Sequence, residues 1–327
     1  MSEYSGYRIQ AAGIIGLALL AVLGCRIDGP SAADKIALQA RGGAPFSPWG
    51  EPHSLGAPVN TPTFNEQNAV ISRDGLTLYF SSDRTGGQGL LDIWVSKRLS
   101  TMDPWGTPEN LESVNTDHAD FAPNLSIDGH LLFFSSNRGK PLPNPDIDIY
   151  VLRRSNPHDD GGWGPPTKLG PGVNTPVAEQ APFFLQSAEE GTVNFYFNRG
   201  QLMGQNADIY CAAITRQGET LGDAQPVSEL NAAGANDAAV SIRRDGLEIF
   251  FWSTRRLGGL DLFTSTRQSV VDSWSDPARL EAPLSTAAND VAPSLSFDGR
   301  TLIFGSSRDS ANNTNDLYFA TRTIGWE

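Results

Sequence analysis

Ile71-Ser72-Arg73-Asp74-Gly75 leads into Leu78-Tyr79-Phe80-Ser81-Ser82-Asp83-Arg84 and then, past a Gly-rich gap, into Asp92-Ile93-Trp94. Asp-Gly between two apolar runs is a strong hairpin signal, and a type I′ turn with positive φ at both central residues is expected. The aromatic run after the turn suits a strand buried on both faces, and Asp-Ile-Trp opens a third strand.

The same order returns along the chain. A second copy gives Asp128-Gly129, Phe133-Phe134, Arg138 and Asp148-Ile149-Tyr150. A fourth gives Asp245-Gly246, Phe250-Phe251, Arg255 and Asp261-Leu262-Phe263, and a fifth gives Asp298-Gly299, Ile303-Phe304, Arg308 and Asp316-Leu317-Tyr318. The third is degenerate, with Glu190-Gly191 one residue out of step, then Phe195-Tyr196-Phe197, Arg199 and Asp208-Ile209-Tyr210. In the other four copies the turn Asp precedes the Arg by ten residues, whereas the Arg-to-Asp spacing varies from six to ten. Constant spacing marks a packed hairpin and variable spacing a surface loop.

A looser Trp-x-x-Pro segment follows the first four units and is expected to form the outer strand: Trp105 to Pro108, Trp163 to Pro166, Trp274 to Pro277, and Pro226 without its Trp. Proline suits an edge that needs no ladder donor. Another such segment, Trp49 to Pro52, precedes the first unit, while the fifth stops at Trp326-Glu327 without an outer strand of its own. The expectation is an all-β, five-bladed propeller over residues 46–327, with four antiparallel strands per blade and a ring closed by the N-terminal outer strand.

Through its Ser-x-Asp-Gly, Phe-x-Ser-x-x-Arg and Asp-Ile-Tyr motifs, the chain from about Phe46 onward resembles the TolB-type, WD-like propeller repeat family. That resemblance implies a bacterial envelope protein that acts by interaction. TolB carries a further domain ahead of its propeller, and no room for one exists here, so a Tol-system role is not implied.

Upstream, Ala11 to Gly24 is almost wholly apolar after a short polar stretch carrying Arg8, and is short for a permanent membrane span. Residues 1–24 therefore read as a signal peptide. Val22-Leu23-Gly24-Cys25 resembles a bacterial lipobox, which would make Cys25 the lipidated N-terminus and 25–45 a flexible tether. Arg26 is not the Asp that holds such lipoproteins at the inner membrane, so lipid anchoring in the outer membrane is favoured over a periplasmic or secreted form.

Composition narrows the function classes. A net charge of −13 with no Lys/Arg cluster opposes nucleic-acid binding. With 33 Gly and 22 Pro, the 327 residues hold many short elements joined by turns. Cys25 and Cys211 are the only two cysteines, too few for a disulfide scaffold. Cys211 follows Asp208-Ile209-Tyr210 and reads as a core residue rather than a nucleophile. The four histidines show no metal-ligand spacing, and no nucleophile elbow, phosphate-binding loop or Cys-His pairing appears.

Chemistry could sit at a matched acid before each innermost strand: Glu66, Asp120, Glu179, Asp237 and Asp290. Four of these lie eight residues before the turn Asp. Five carboxylates ringing one channel mouth would suit calcium or a basic side chain. The competing reading is structural, with the acids, the arginines Arg84, Arg138, Arg199, Arg255 and Arg308, and the aspartates Asp92, Asp148, Asp208, Asp261 and Asp316 pairing within or between blades. Residues that break the repeat are the other candidates: Asp117, His118, and the loop from Lys140 through Pro141, Leu142, Pro143 and Asn144 to Pro145.

Function reads first as a non-catalytic, monomeric envelope scaffold without a cofactor, binding a protein or a cell-wall glycan. The alternatives are a glycosidase or polysaccharide lyase using Glu66, Asp120 and Glu179, and a structural envelope spacer.

Overall fold

The computed structural model describes residues 46–325 apart from 141–145, 187–191, 202–204, 257–258 and 311. The signal peptide, Cys25, the tether, the Pro141 to Pro145 run, the Glu190-Gly191 turn and Trp326 lie outside the described residues.

Among the described residues, twenty strands form five four-stranded antiparallel sheets, one per repeat. The first holds β2 (Glu66–Ile71), β3 (Thr77–Ser82), β4 (Asp92–Lys97) and β5 (Glu109–Asn110). The second holds β6 (Asp120–Leu125), β7 (Leu131–Ser136), β8 (Asp148–Arg153) and β9 (Thr167–Lys168). The third holds β10 (Ala178–Gln186), β11 (Thr192–Gln201), β12 (Gln205–Thr215) and β13 (Gln225–Pro226). The fourth holds β14 (Asp237–Ile242), β15 (Glu248–Ser253), β16 (Asp261–Thr266) and β17 (Ala278–Arg279). The last combines β18 (Asp290–Leu295), β19 (Thr301–Ser306) and β20 (Asp316–Thr321) with β1 (His53–Ser54), which comes from the other end of the propeller. The protein is a five-bladed β-propeller, with no α-helix among the described residues.

Closure of the ring follows from a module present in three of the other four blades. Trp105, Trp163 and Trp274 are buried, each beneath an arginine that leaves the third strand: Arg98 at 4.2 Å, Arg154 at 4.1 Å and Arg267 at 4.1 Å from the ring centre. Each guanidinium also donates to the carbonyl of its blade's turn glycine, at 2.8 Å to Gly75, 2.8 Å to Gly129 and 2.7 Å to Gly246. In the fifth blade Arg322 stacks on Trp49 at 4.4 Å and donates to Gly299 at 2.8 Å. The Gly50 amide meets the Thr321 carbonyl at 2.8 Å, as Gly106 meets Lys97 and Gly164 meets Arg153. The N-terminal segment thus takes the place of an outer strand.

Two local expectations need correction. Outer strands are only two residues long and start immediately after the proline in four blades; Pro226 alone lies within one. The Trp side chain turns into the core, so only the residues beyond the proline run along the third strand. The Asp-Gly turns are also not type I′. Positive φ falls on the glycine alone, at 77° for Gly75 and 73° for Gly129. The Gly75 amide bonds the Ser72 carbonyl at 2.9 Å, and Asp74 holds the turn by accepting the Leu76 amide at 3.0 Å and the Ser72 hydroxyl at 2.6 Å.

Candidate functional site

Each inner strand carries a bulge at its third or fourth residue, where Asn68, Ala122, Ala181, Ala239 and Ala292 all take φ between 49° and 53°. Non-glycine residues rarely hold this conformation, and five equivalent cases mark it as part of the architecture. Proline follows in three of them, Pro123, Pro182 and Pro293, and has no amide left to satisfy. Freed amides cross to the neighbouring blade, Ala122 to the Ser81 hydroxyl at 2.9 Å and Ala181 to Ser135 at 3.0 Å.

These bulges narrow the centre of the ring. The cavity there is about 40 Å³ and is lined by Asn, Ala, Pro, Ser, Val and Phe residues of the five inner strands, from Asn68 to Ser294. That is space for a few waters. No carboxylate lines it among the described residues.

The five matched acids, the first or second residues of their inner strands, are fully buried beside the channel rather than exposed at its mouth. Each pairs with the arginine at the end of the second strand of its own blade, just beyond that strand in four blades and within β11 in the third: Glu66 with Arg84 at 3.0 Å, Asp120 with Arg138 at 2.6 Å, Glu179 with Arg199 at 2.8 Å, Asp237 with Arg255 at 2.5 Å and Asp290 with Arg308 at 2.8 Å. The remaining lone pairs accept from the preceding loop. Thr116 donates its amide and hydroxyl to Asp120, both at 2.7 Å, and Thr61, Thr175 and Thr286 treat Glu66, Glu179 and Asp290 likewise. Ala232 gives Asp237 its amide alone, at 2.7 Å.

Each arginine is held from several sides. Arg138 donates to the Ser136 hydroxyl at 3.0 Å and the Val114 carbonyl at 2.8 Å, and stacks on Phe134 and Tyr150 at 4.7 and 5.3 Å. The acids' own amides cross between blades, Asp120 to Leu91 at 2.7 Å, Glu179 to Ile147 at 2.9 Å and Asp290 to Leu260 at 2.8 Å. Burial holds Glu66 and Glu179 above the usual carboxylate range, with the Thr donors and the arginines offsetting part of the effect.

One signal behind this clamp escapes a reading that starts from the turn. Val59-Asn60-Thr61, Val114-Asn115-Thr116 and Val173-Asn174-Thr175 recur five or six residues ahead of the acid. The threonine caps the acid, and the asparagine brackets the third strand of the preceding blade, as Asn115 does with the Ile93 amide at 3.0 Å and carbonyl at 2.8 Å.

The third-strand aspartates pair outward, not with the arginines of the clamp. Asp92 accepts from Asn110 at 2.9 Å and from the Gly89 amide at 3.1 Å. Asp148 takes Lys140 and Lys168, both at 2.7 Å, and Asp261 takes Arg279 at 2.7 Å. Asn110, Lys168 and Arg279 occupy one register position on the outer strand, where the third blade has Pro226 and the fifth has Ser54. Asp208 and Asp316 accordingly have no cation among the described residues.

Asp208 is half-buried and lines a pocket of about 300 Å³ with Asn206, Pro226, Ser228, Asn231 and the 232–235 run. Burial, and secondarily the charge of Asp237, raise its carboxyl above the usual range. His118 and Asp117 pair at 2.6 Å on a loop of the same face, with Asp117 86% exposed and, among the described residues, no third group on the imidazole. No group of His, Cys, Asp and Glu suited to hold a metal ion occurs among the described residues.

No known family's profile matches the chain, and no curated protein matches it. Among solved structures it is similar to the catalytic domain of the glycoside hydrolase family 62 α-L-arabinofuranosidase of Coprinopsis cinerea, at TM-score 0.57 and 11% identity over 85% of this chain and 98% of that one. It is similar also to the α-L-arabinofuranosidase of Lactobacillus brevis, at TM-score 0.55 and 14% identity over 82% and 93%. TolB from Acinetobacter baumannii aligns at TM-score 0.45 and 14% identity over 77% and 53%. At such identities the likeness to the two arabinofuranosidases concerns the fold, and the TolB alignment adds nothing to it.

Proposed function

We propose that the chain is a non-hydrolytic binding propeller of a bacterial cell envelope, lipid-anchored through Cys25 with the outer membrane favoured. It engages a cell-wall glycan or an envelope protein through the face that carries the Asp208 pocket and the His118 loop. One observation carries this reading: the five matched acids beside the channel are each committed to an arginine clamp, and among the described residues no carboxylate lines the channel. Retaining or inverting hydrolysis requires two carboxyl groups facing one open site at about 5–10 Å.

The second reading, a carbohydrate-active enzyme, is favoured by the two arabinofuranosidases that share the fold. It also makes a glycan the first ligand class to try. Arabinan, xylan and aryl arabinofuranosides incubated with the purified protein across pH 4–8 separate the two. The proposal expects no product above a buffer control, and turnover that disappears in Asp120→Asn while the fold persists would overturn it.

A further inference from the structure

The repeat supplies an internal control for what one of its aspartates is doing. In three blades the third-strand Asp is satisfied by a donor at one register position of the outer strand, Asn110, Lys168 or Arg279. The third blade keeps the Asp but replaces the donor with Pro226, which has no amide and no side-chain polar group. In the fifth blade Ser54 stands at that position, a residue that can still donate a hydrogen bond, whereas in the third the place beside Asp208 opens into a pocket of about 300 Å³.

Deepening the binding reading, on which it rests, we propose that the Asp208 pocket takes an organic cation, the alkylammonium or guanidinium end of a basic side chain. The charge would meet Asp208 where Lys168 meets Asp148 one blade earlier. The aliphatic stem would lie along Pro226, Ala232 and Ala233, since long basic side chains bury their methylenes against apolar walls. A volume of about 300 Å³ is at the small end of ligand pockets and suits one such side chain. The net charge of −13 draws basic partners toward the molecule.

A divalent metal fits less well. Calcium takes six to eight oxygens, whereas Asp208 is the sole carboxylate of the lining, and the Asn231 amide already bonds both the Ile209 amide at 2.7 Å and its carbonyl at 3.0 Å. A guest ammonium also lessens the repulsion between Asp208 and Asp237, which the free protein otherwise bears.

The test follows the amide resonances of residues 232–235 by NMR during titration with n-butylammonium chloride at constant ionic strength. Parallel titrations use a short lysine-containing peptide, to distinguish a free amine from a side chain, and calcium chloride. Saturable shifts are expected with both amines, weakened roughly tenfold or more in Asp208→Asn. Pro226→Lys, which installs the cation that the second blade has, is expected to abolish them. Both variants should melt no lower than the parent, since one removes a repelled charge and the other pairs it. No shift in the parent, equal shifts in Asp208→Asn, or stronger shifts with calcium than with amines would overturn the proposal. A glycan or protein ligand bound equally by parent and Asp208→Asn would overturn it too, while leaving the binding-propeller reading intact.

Discussion

Replacing Asp120 by alanine strands the charge of Arg138 and leaves the Thr116 amide and hydroxyl without their acceptor, all three now within 2.6–2.7 Å of one carboxylate. Removing one member of a buried ion pair costs about 3–5 kcal/mol, because the remaining charge is desolvated and uncompensated. Arg138 keeps the Ser136 hydroxyl, the Val114 carbonyl and its stacking on Phe134 and Tyr150, so the lower end applies. At roughly 2–4 °C per kcal/mol, a loss of about 3 kcal/mol lowers the melting temperature by about 6–12 °C. The double variant Asp120→Ala/Arg138→Met removes both charges and should recover half or more of that loss. Thermal and urea unfolding followed by circular dichroism near pH 7 would read both numbers. A single variant that melts within about 1 °C of the parent, or a double variant less stable than the single, would refute the clamp.

Other outcomes follow from the same geometry. Trp49→Ala removes a half-buried ring from under Arg322 and from its edge contact with Phe250 at 5.9 Å, and should cost about 2 kcal/mol while exposing the N-terminal segment to limited proteolysis. Gly89→Ala puts a Cβ 1.7 Å from the His118 carbonyl oxygen, backbone against backbone between the first two blades, and a drop of about 1–3 kcal/mol in urea-measured stability is expected. Asp160 is raised by burial but brought below the usual aspartate range by Lys97, Tyr79 and Arg154. Its contribution is therefore present above the unfolded value near 3.8 and lost as pH falls through the folded one, so the stability gap between parent and Asp160→Asn should shrink between pH 6 and about pH 3.

Blade count and closure were legible because each rests on short-range chemistry. Asp-Gly fixes a turn, an aromatic run fixes a strand, and Trp49 completes a pattern seen three more times. The clamp was legible only in part. The recurring acid and the recurring arginine both stood out, but which acid each arginine takes depends on strand register, and the Arg84 set goes to the inner strand rather than to Asp92 and its equivalents. A second arginine set, Arg98, Arg154, Arg267 and Arg322, lies six residues after the third-strand Asp, where the variable outer segments obscure its regularity. The alanine bulges had no sequence signal, since positive φ is read from glycine and not from Ala122 or Ala292. In sequence Asp208 is like its four counterparts, and what distinguishes its surroundings is Pro226 at the register position held by Asn110, Lys168 and Arg279 in three other blades.

Central to this account is a division of labour, with the five repeated acids holding the blades and the exceptional aspartate facing outward. Carbon-13 NMR of labelled Asp and Glu carboxyl groups, titrated with calcium and with n-butylammonium, measures that division directly. Glu66, Asp120, Glu179, Asp237 and Asp290 are expected to stay unmoved by either cation while Asp208 shifts with the amine. A concerted shift of the five carboxyl resonances on adding calcium would contradict it.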